Sequence, residues 1–109
     1  MAEKVRVLID AEIQEFIPDF VEHRRSDLAK MRRDLEALDF TELETAGHKF
    51  KGCGKVYGFD LITDLGIQIE RAAQNQDKTA VAAFLDDLAE YFDNMEIAYV
   101  TVPPAPPAA

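Results

Sequence analysis

Apolar residues along this chain recur mostly at steps of three and four. From Ile17 to Leu38 the positions Ile17, Val21, Arg24, Leu28, Met31, Leu35 and Leu38 alternate between those steps, Arg24 alone breaking the apolar stripe and Phe20 widening it. That period predicts an amphipathic helix. A second helix is expected from about Thr41, where Thr41 and Glu44 form a T-x-x-E capping box, to Gly58, which suits the left-handed position after a helix. A third is expected over about Asp60 to Gln74, with Ile62, Leu65, Ile69 and Ala72 or Ala73 inward. The stripe Val81, Phe84 or Leu85, Leu88, Phe92, Met95 and Tyr99 predicts a fourth, over about Lys78 to Tyr99, with Asp77 as its N-cap.

Ahead of these, Asp10 is placed to cap a short helix over about Ala11 to Phe16, and Pro18 fits the first turn of the helix that follows. Residues 1–9 read as a lead-in. Convincing β alternation is absent, apart from a weak run from Val100 to Val102. Helices joined by short turns predict an all-α fold: an antiparallel four-helix bundle with a short extra N-terminal helix, over residues 10–100. The remaining residues, 101–109, carry four of the five prolines and are expected to form a flexible or polyproline tail.

Length and composition narrow the reading. A chain of 109 residues with 48% hydrophobic and 30% charged residues suits one globular domain with one core. No apolar run approaches the roughly 20 residues of a membrane span, and the first residues lack the apolar core of a signal peptide. The single Cys53 cannot form an internal disulfide, so a reduced, cytoplasmic setting is expected. A net charge of −9 argues against general nucleic-acid binding.

The stretch HKFKGCGKVYG, residues 48–58, is unusual for a helix because each interior Gly costs about 1 kcal/mol relative to Ala. At about 100° per residue, Leu43, Ala46, Phe50, Gly54 and Tyr57 cluster opposite His48, with Cys53 and Gly47 flanking them. Glu44, Lys51, Gly52 and Lys55 fall within about 60° of His48 and face outward with it. Gly47 and Gly54 are therefore expected to permit close packing. Gly52 needs another reason, and a bare approach path beside His48 is one; neutral drift is the plain alternative. A surface histidine is often mere decoration. Here, however, Lys51 at i+3 and Lys55 further along place cations beside it in an acidic protein. That set suits an anion, especially one carried covalently on the imidazole.

Other chemistry is thinly supported. His23 reads as a solvated surface residue. HExxH, CxxC and Gly-rich phosphate loops are missing, so neither a metal nor a cofactor of its own is expected. The basic run RRSDLAKMRR, residues 24–33, is expected to pair with the acidic last helix at Asp86, Asp87, Glu90, Asp93 and Glu96.

Residues 48–70 resemble the signature of histidine-containing phosphotransfer (HPt) domains. That signature has a histidine, Lys-Gly three and four positions on, small residues, a Gly ten positions on, and an apolar helix closing near Glu or Gln. Here these are His48, Lys51, Gly52, Cys53, Gly54, Gly58, Leu65, Ile69 and Glu70. Cys53 stands where the family usually has Ser or Ala. The likeness extends over about residues 10–99, through Ile17-Pro18 and Asp39-Phe40.

The resemblance implies a phosphocarrier rather than an enzyme. His48 would accept a phosphoryl group from the aspartyl phosphate of a response-regulator receiver domain and pass it to another. Lys51 and Lys55 would contact phosphate, and Gly52 and Glu44 would lie where the receiver docks. The receiver would supply Mg²⁺, and a hybrid histidine kinase could stand upstream. A closed bundle of this kind is expected to be monomeric. Two rival readings stand beside it: the phosphoacceptor domain of a chemotaxis-type histidine kinase, and a helical adaptor that is never phosphorylated.

Overall fold

The protein is described here by a computed structural model over residues 4–101. Its elements in chain order are strand β1 (Val5–Asp10), a 3-10 helix (Ala11–Phe16), α1 (Ile17–Glu36), α2 (Phe40–Cys53), a 3-10 turn (Lys55–Tyr57), α3 (Asp60–Gln74), α4 (Lys78–Asn94) and strand β2 (Met95–Val100). The helices close a ring: α1 packs on α2 and α4, and α3 packs on the same two. Leu43, Phe50, Phe59, Ile62, Ile69, Val81, Leu85 and Leu88 are fully buried at its centre. Met1 to Glu3 of the lead-in and residues 102–109 of the expected tail lie outside the described residues.

Several expected local signals act as read. Pro18 sits in the first turn of α1, and Asp77 Oδ1 accepts from Ala80 N at 3.0 Å to cap α4. Asp10 Oδ1 accepts from Glu12 N at 2.9 Å at the start of the 3-10 helix. Arg24, the polar member of the α1 stripe, lies over the Phe20 and Phe50 rings at 5.2 and 5.8 Å and pairs with Asp27 at 3.0 Å. A guanidinium stacked on aromatic faces can share an apolar seam at little cost. The expected pairing of the basic run with the acidic helix holds only in part: Arg25–Asp93 at 3.2 Å and Arg32–Asp86 at 3.0 Å form, whereas Glu96 lies on β2 and pairs with Lys4 at 3.3 Å.

Six expectations are corrected. The fold is mostly helical but not all-α: β1 and β2 form a two-stranded parallel sheet in which Val5 pairs with Met95 and Asp10 with Val100. The last helix accordingly stops at Asn94 rather than Tyr99. Met95, Ile97 and Tyr99 fit a strand's period of two, while Met95 and Tyr99 also extend the helical stripe, so spacing alone was ambiguous. Val7 and Ile9 are buried beneath the helices, so most of the lead-in is a core strand. The first long helix ends at Glu36, and Leu38 is exposed with φ 56°.

The cap of α2 is Asp39, whose Oδ1 accepts from Glu42 N at 3.1 Å, not Thr41. This helix also ends at Cys53, short of Gly58. The cause is a side chain inserted in the helical ladder. Lys55 N would bond Lys51 O in a continuous helix. Instead Lys55 N donates to the buried Thr63 Oγ1 at 2.8 Å, and that hydroxyl donates to Lys51 O at 3.1 Å. Gly58 still takes the left-handed conformation, φ 91°, but closes the 3-10 turn.

Candidate functional site

The site is built where α2 and α3 meet at backbone distance. A Cβ added to Gly47 would lie 2.6 Å from Glu70 N and 2.9 Å from Gly66 O; one added to Gly66 would meet the backbone of Lys51 and lie 2.8 Å from Gly47 O. Gly54 is equally closed, with Thr63 N at 2.5 Å from such an atom. The expected role of Gly47 and Gly54 in close packing is thus seen directly, and Gly66 is their counterpart on α3. Because the two helices touch here, side chains on adjoining edges reach one another.

His48 rides on this seam with its side chain 71% exposed. Its Nδ1 lies 2.8 Å from Glu70 Oε2, and Lys51 Nζ donates to Glu70 Oε1 at 3.0 Å. Glu70 itself is largely covered, at 15% side-chain exposure. The Lys51 ammonium, and after it His48, hold its carboxyl below the usual 4.5 despite the opposing effect of burial. An ionised carboxylate only accepts hydrogen bonds, so this contact calls for a proton on His48 Nδ1, which in the neutral ring leaves the exposed Nε2 as the nucleophilic nitrogen.

Around this group the other expected residues fall differently. Glu44 Oε1 accepts from Gln74 Nε2 at 3.1 Å, and Glu44 lines a shallow groove with Thr41, Thr45, His48 and Glu70. Gly52 is exposed, and an added Cβ would meet nothing within 4 Å. Lys55 begins the 3-10 turn past the end of α2, and among the described residues its side chain forms no ion pair with the His48 group. Cys53 is half-buried, its Sγ accepting from Arg24 Nη1 at 3.5 Å, and is remote from His48 chemistry as expected. His23 is exposed.

Glu70 is the member that site reasoning from the sequence missed. It was visible as the residue closing the signature, yet its spacing of 22 residues from His48 gives no local cue to contact. Among the described residues no group of three His, Cys, Asp or Glu is arranged to hold a metal ion. Nor is any helix there long and apolar enough to cross a membrane.

The family model described as "Hpt domain" matches residues 15–98, most of the chain. No curated protein and no solved structure matches it.

Proposed function

Since the chain belongs to the Hpt domain family, the histidine phosphotransfer modules of phosphorelays, we propose that His48 is its phosphoryl acceptor, taking the group from one receiver domain and yielding it to another. The observation that carries this is the exposed imidazole with Nδ1 on Glu70 Oε2 at 2.8 Å and Lys51 on the other oxygen of the same carboxylate.

In the forward step the Nε2 lone pair attacks phosphorus of the receiver's aspartyl phosphate. The N–P bond forms as the P–O bond to the aspartate breaks, and that carboxylate leaves with the electron pair. Nδ1 keeps its proton, so the ring becomes cationic. Glu70, already in contact, stabilises this charge as it develops. Lys51, held beside the ring, donates to the phosphoryl oxygens. The reverse reaction uses the same atoms. Mg²⁺ and most stabilisation of the transferring group come from the receiver, so the domain is a carrier rather than a self-sufficient catalyst.

Gly52 leaves space for the receiver's approach, with Glu44 on the rim of the groove. Lys55, on the following turn, offers longer-range attraction for phosphate. The antiparallel packing expected for such a bundle is supported by the α2–α3 contacts, which run Glu44–Gln74, His48–Glu70 and Gly54–Thr63. A cytoplasmic, monomeric protein that binds receivers or a hybrid kinase, rather than nucleic acid or membrane, fits the net charge of −9 and the closed core.

The test is incubation with a phosphorylated receiver, followed by mapping of acid-labile phosphate. Label is expected on His48 and absent from a folded His48→Gln variant. Label persisting on His23 in that variant would overturn the assignment.

A further inference from the structure

The acidic helix α4 is only partly neutralised by α1. Arg32 takes Asp86 and Arg25 takes Asp93, but Asp87 and Glu90 meet no cation among the described residues. These two carboxylates stand on the rim of a hollow whose other walls are Val5, Leu61, Leu65 and Asn94. A second hollow shares Val5 and Leu61 and continues past Arg6, Leu8, Asp60 and Tyr91, so its acidic Asp60 is matched by a cation of the chain itself while the first hollow's rim is purely acidic. Val5, Leu8 and Leu61 are 41%, 57% and 41% exposed, so the joint floor is an uncovered apolar strip. Tyr91, only 5% exposed as a residue, lines the second hollow with its hydroxyl open to solvent. Burial, and then the charge of Asp60, push its phenol up to about 12.

We propose that this strip between β1, α3 and α4 is a docking site for a basic amphipathic segment of a partner protein, with aliphatic side chains on Leu61 and Leu65 and Lys or Arg on Asp87 and Glu90. The hollow with the acidic rim holds about 250 Å³. That suits one or two aliphatic side chains and falls below the roughly 300–1,000 Å³ of small-molecule pockets. Charge selects the occupant. A second copy of this chain would bring its own net charge of −9 against the rim, and the tail over residues 102–109 has no Lys or Arg to offer. A basic segment satisfies the carboxylates of Asp87 and Glu90. The strip is also independent of His48. Leu61 and Glu70 are nine residues apart, about 180° around α3, so a tethered partner leaves the imidazole open to a visiting receiver.

The probe is a fluorescein-labelled peptide, KLAKLLKRLAK, titrated into the full chain, with KSAKSSKRSAK as a charge-matched control. Binding is expected for the first peptide and at least about tenfold weaker for the second, since a buried leucine is worth about 1.5–3 kcal/mol. The exposed pair Asp87→Asn with Glu90→Gln should weaken binding about fivefold, within the range of two surface ion pairs, whereas His48→Gln should not change it. Amide shifts on titration should centre on Val5, Leu61, Leu65 and Asp87. Equal binding of both peptides, no binding of the first, or shifts centred on His48 would overturn the proposal. So would sedimentation showing a dimer that Leu61→Ser dissolves, or a chain ended at Thr101 whose Leu61 and Leu65 resonances move, which would make the tail the occupant. None of these readouts requires phosphotransfer, so this proposal and the role of His48 fail separately.

Discussion

Ionised, the Glu70 carboxylate accepts from two donors at once, His48 Nδ1–H and the Lys51 ammonium. Glutamine keeps one acceptor oxygen for Nδ1–H but no charge, while alanine keeps neither. Phosphoryl transfer from a phosphorylated receiver is therefore expected to fall in the order parent, Glu70→Gln, Glu70→Ala. The alanine variant should be slower on the order of tenfold, given the worth of a hydrogen bond to a charged group. Equal rates for alanine and parent would remove Glu70 from the mechanism. The same contacts hold the Glu70 carboxyl below its unfolded value of 4.5. Their stabilising effect is full above that pH and is lost as pH falls through the lower folded value. Melting temperatures of Glu70→Gln should consequently decline less below pH 4.5 than those of the parent. At Gly52 the open space predicts opposite signs for two measurements. Gly52→Gln should raise the melting temperature, with a stabilisation of less than about 1 kcal/mol because the site is in the last turn of α2, and slow transfer by obstructing the receiver. A variant that melts earlier, or transfers at the parent rate, would count against this account of Gly52.

Two helix ends share one device. After α1, Leu38 N donates to Leu35 O and Asp39 N to Asp34 O; after α3, Gln76 N donates to Ala73 O and Asp77 N to Ala72 O. Both are Schellman turns, and both place a side-chain-bearing residue in the left-handed region, Leu38 at φ 56° and Gln76 at φ 52°. In each, the following aspartate caps the next helix, so one dipeptide both stops and starts a helix. Leu38, being exposed, gives up little packing on removal. Leu38→Gly should thus raise stability by up to about 1 kcal/mol in denaturant titration; a loss would show that Leu38 contributes contacts its exposure conceals. These elements explain what periodicity could and could not reveal. Stripes located all four helices because burial repeats along them. The end of α2 was hidden because it depends on Thr63, a residue of the next helix, entering the ladder. Likewise Thr41–Glu44 and Asp39–Glu42 both spell a capping pattern, and only the geometry of the turn selects the second.

At the level of the whole molecule, the helical core was legible and the sheet was not. Each strand is short, and its partner lies some 90 residues away in register, Val5 with Met95. Local pattern carries no information about such a pairing. The candidate site divided the same way: His48, Lys51 and Gly52 share one helix and could be placed by angle, whereas Glu70 and Gly66 come from another. The strand is nonetheless integral to the core. Ile9 is 1% exposed, and Gly58 is close enough that an added Cβ would meet Ile9 Cδ1 at 2.8 Å. Ile9→Ala should cost about 2–5 kcal/mol in chemical denaturation; a cost below about 1 kcal/mol would mean β1 is a dispensable flap.

The parallel register of β1 and β2 also fixes how the domain carries load. Val5 and Val100 lie at opposite ends of the two-stranded ribbon, because Val5 sits beside Met95 and Val100 beside Asp10. Tension applied between Val5 and Val100 therefore drags the strands past each other lengthwise. The ladder must yield as a unit in shear rather than open one rung at a time. A pull between those points loads the ribbon before any helix, so the bundle that presents His48 keeps its shape until the ribbon gives way.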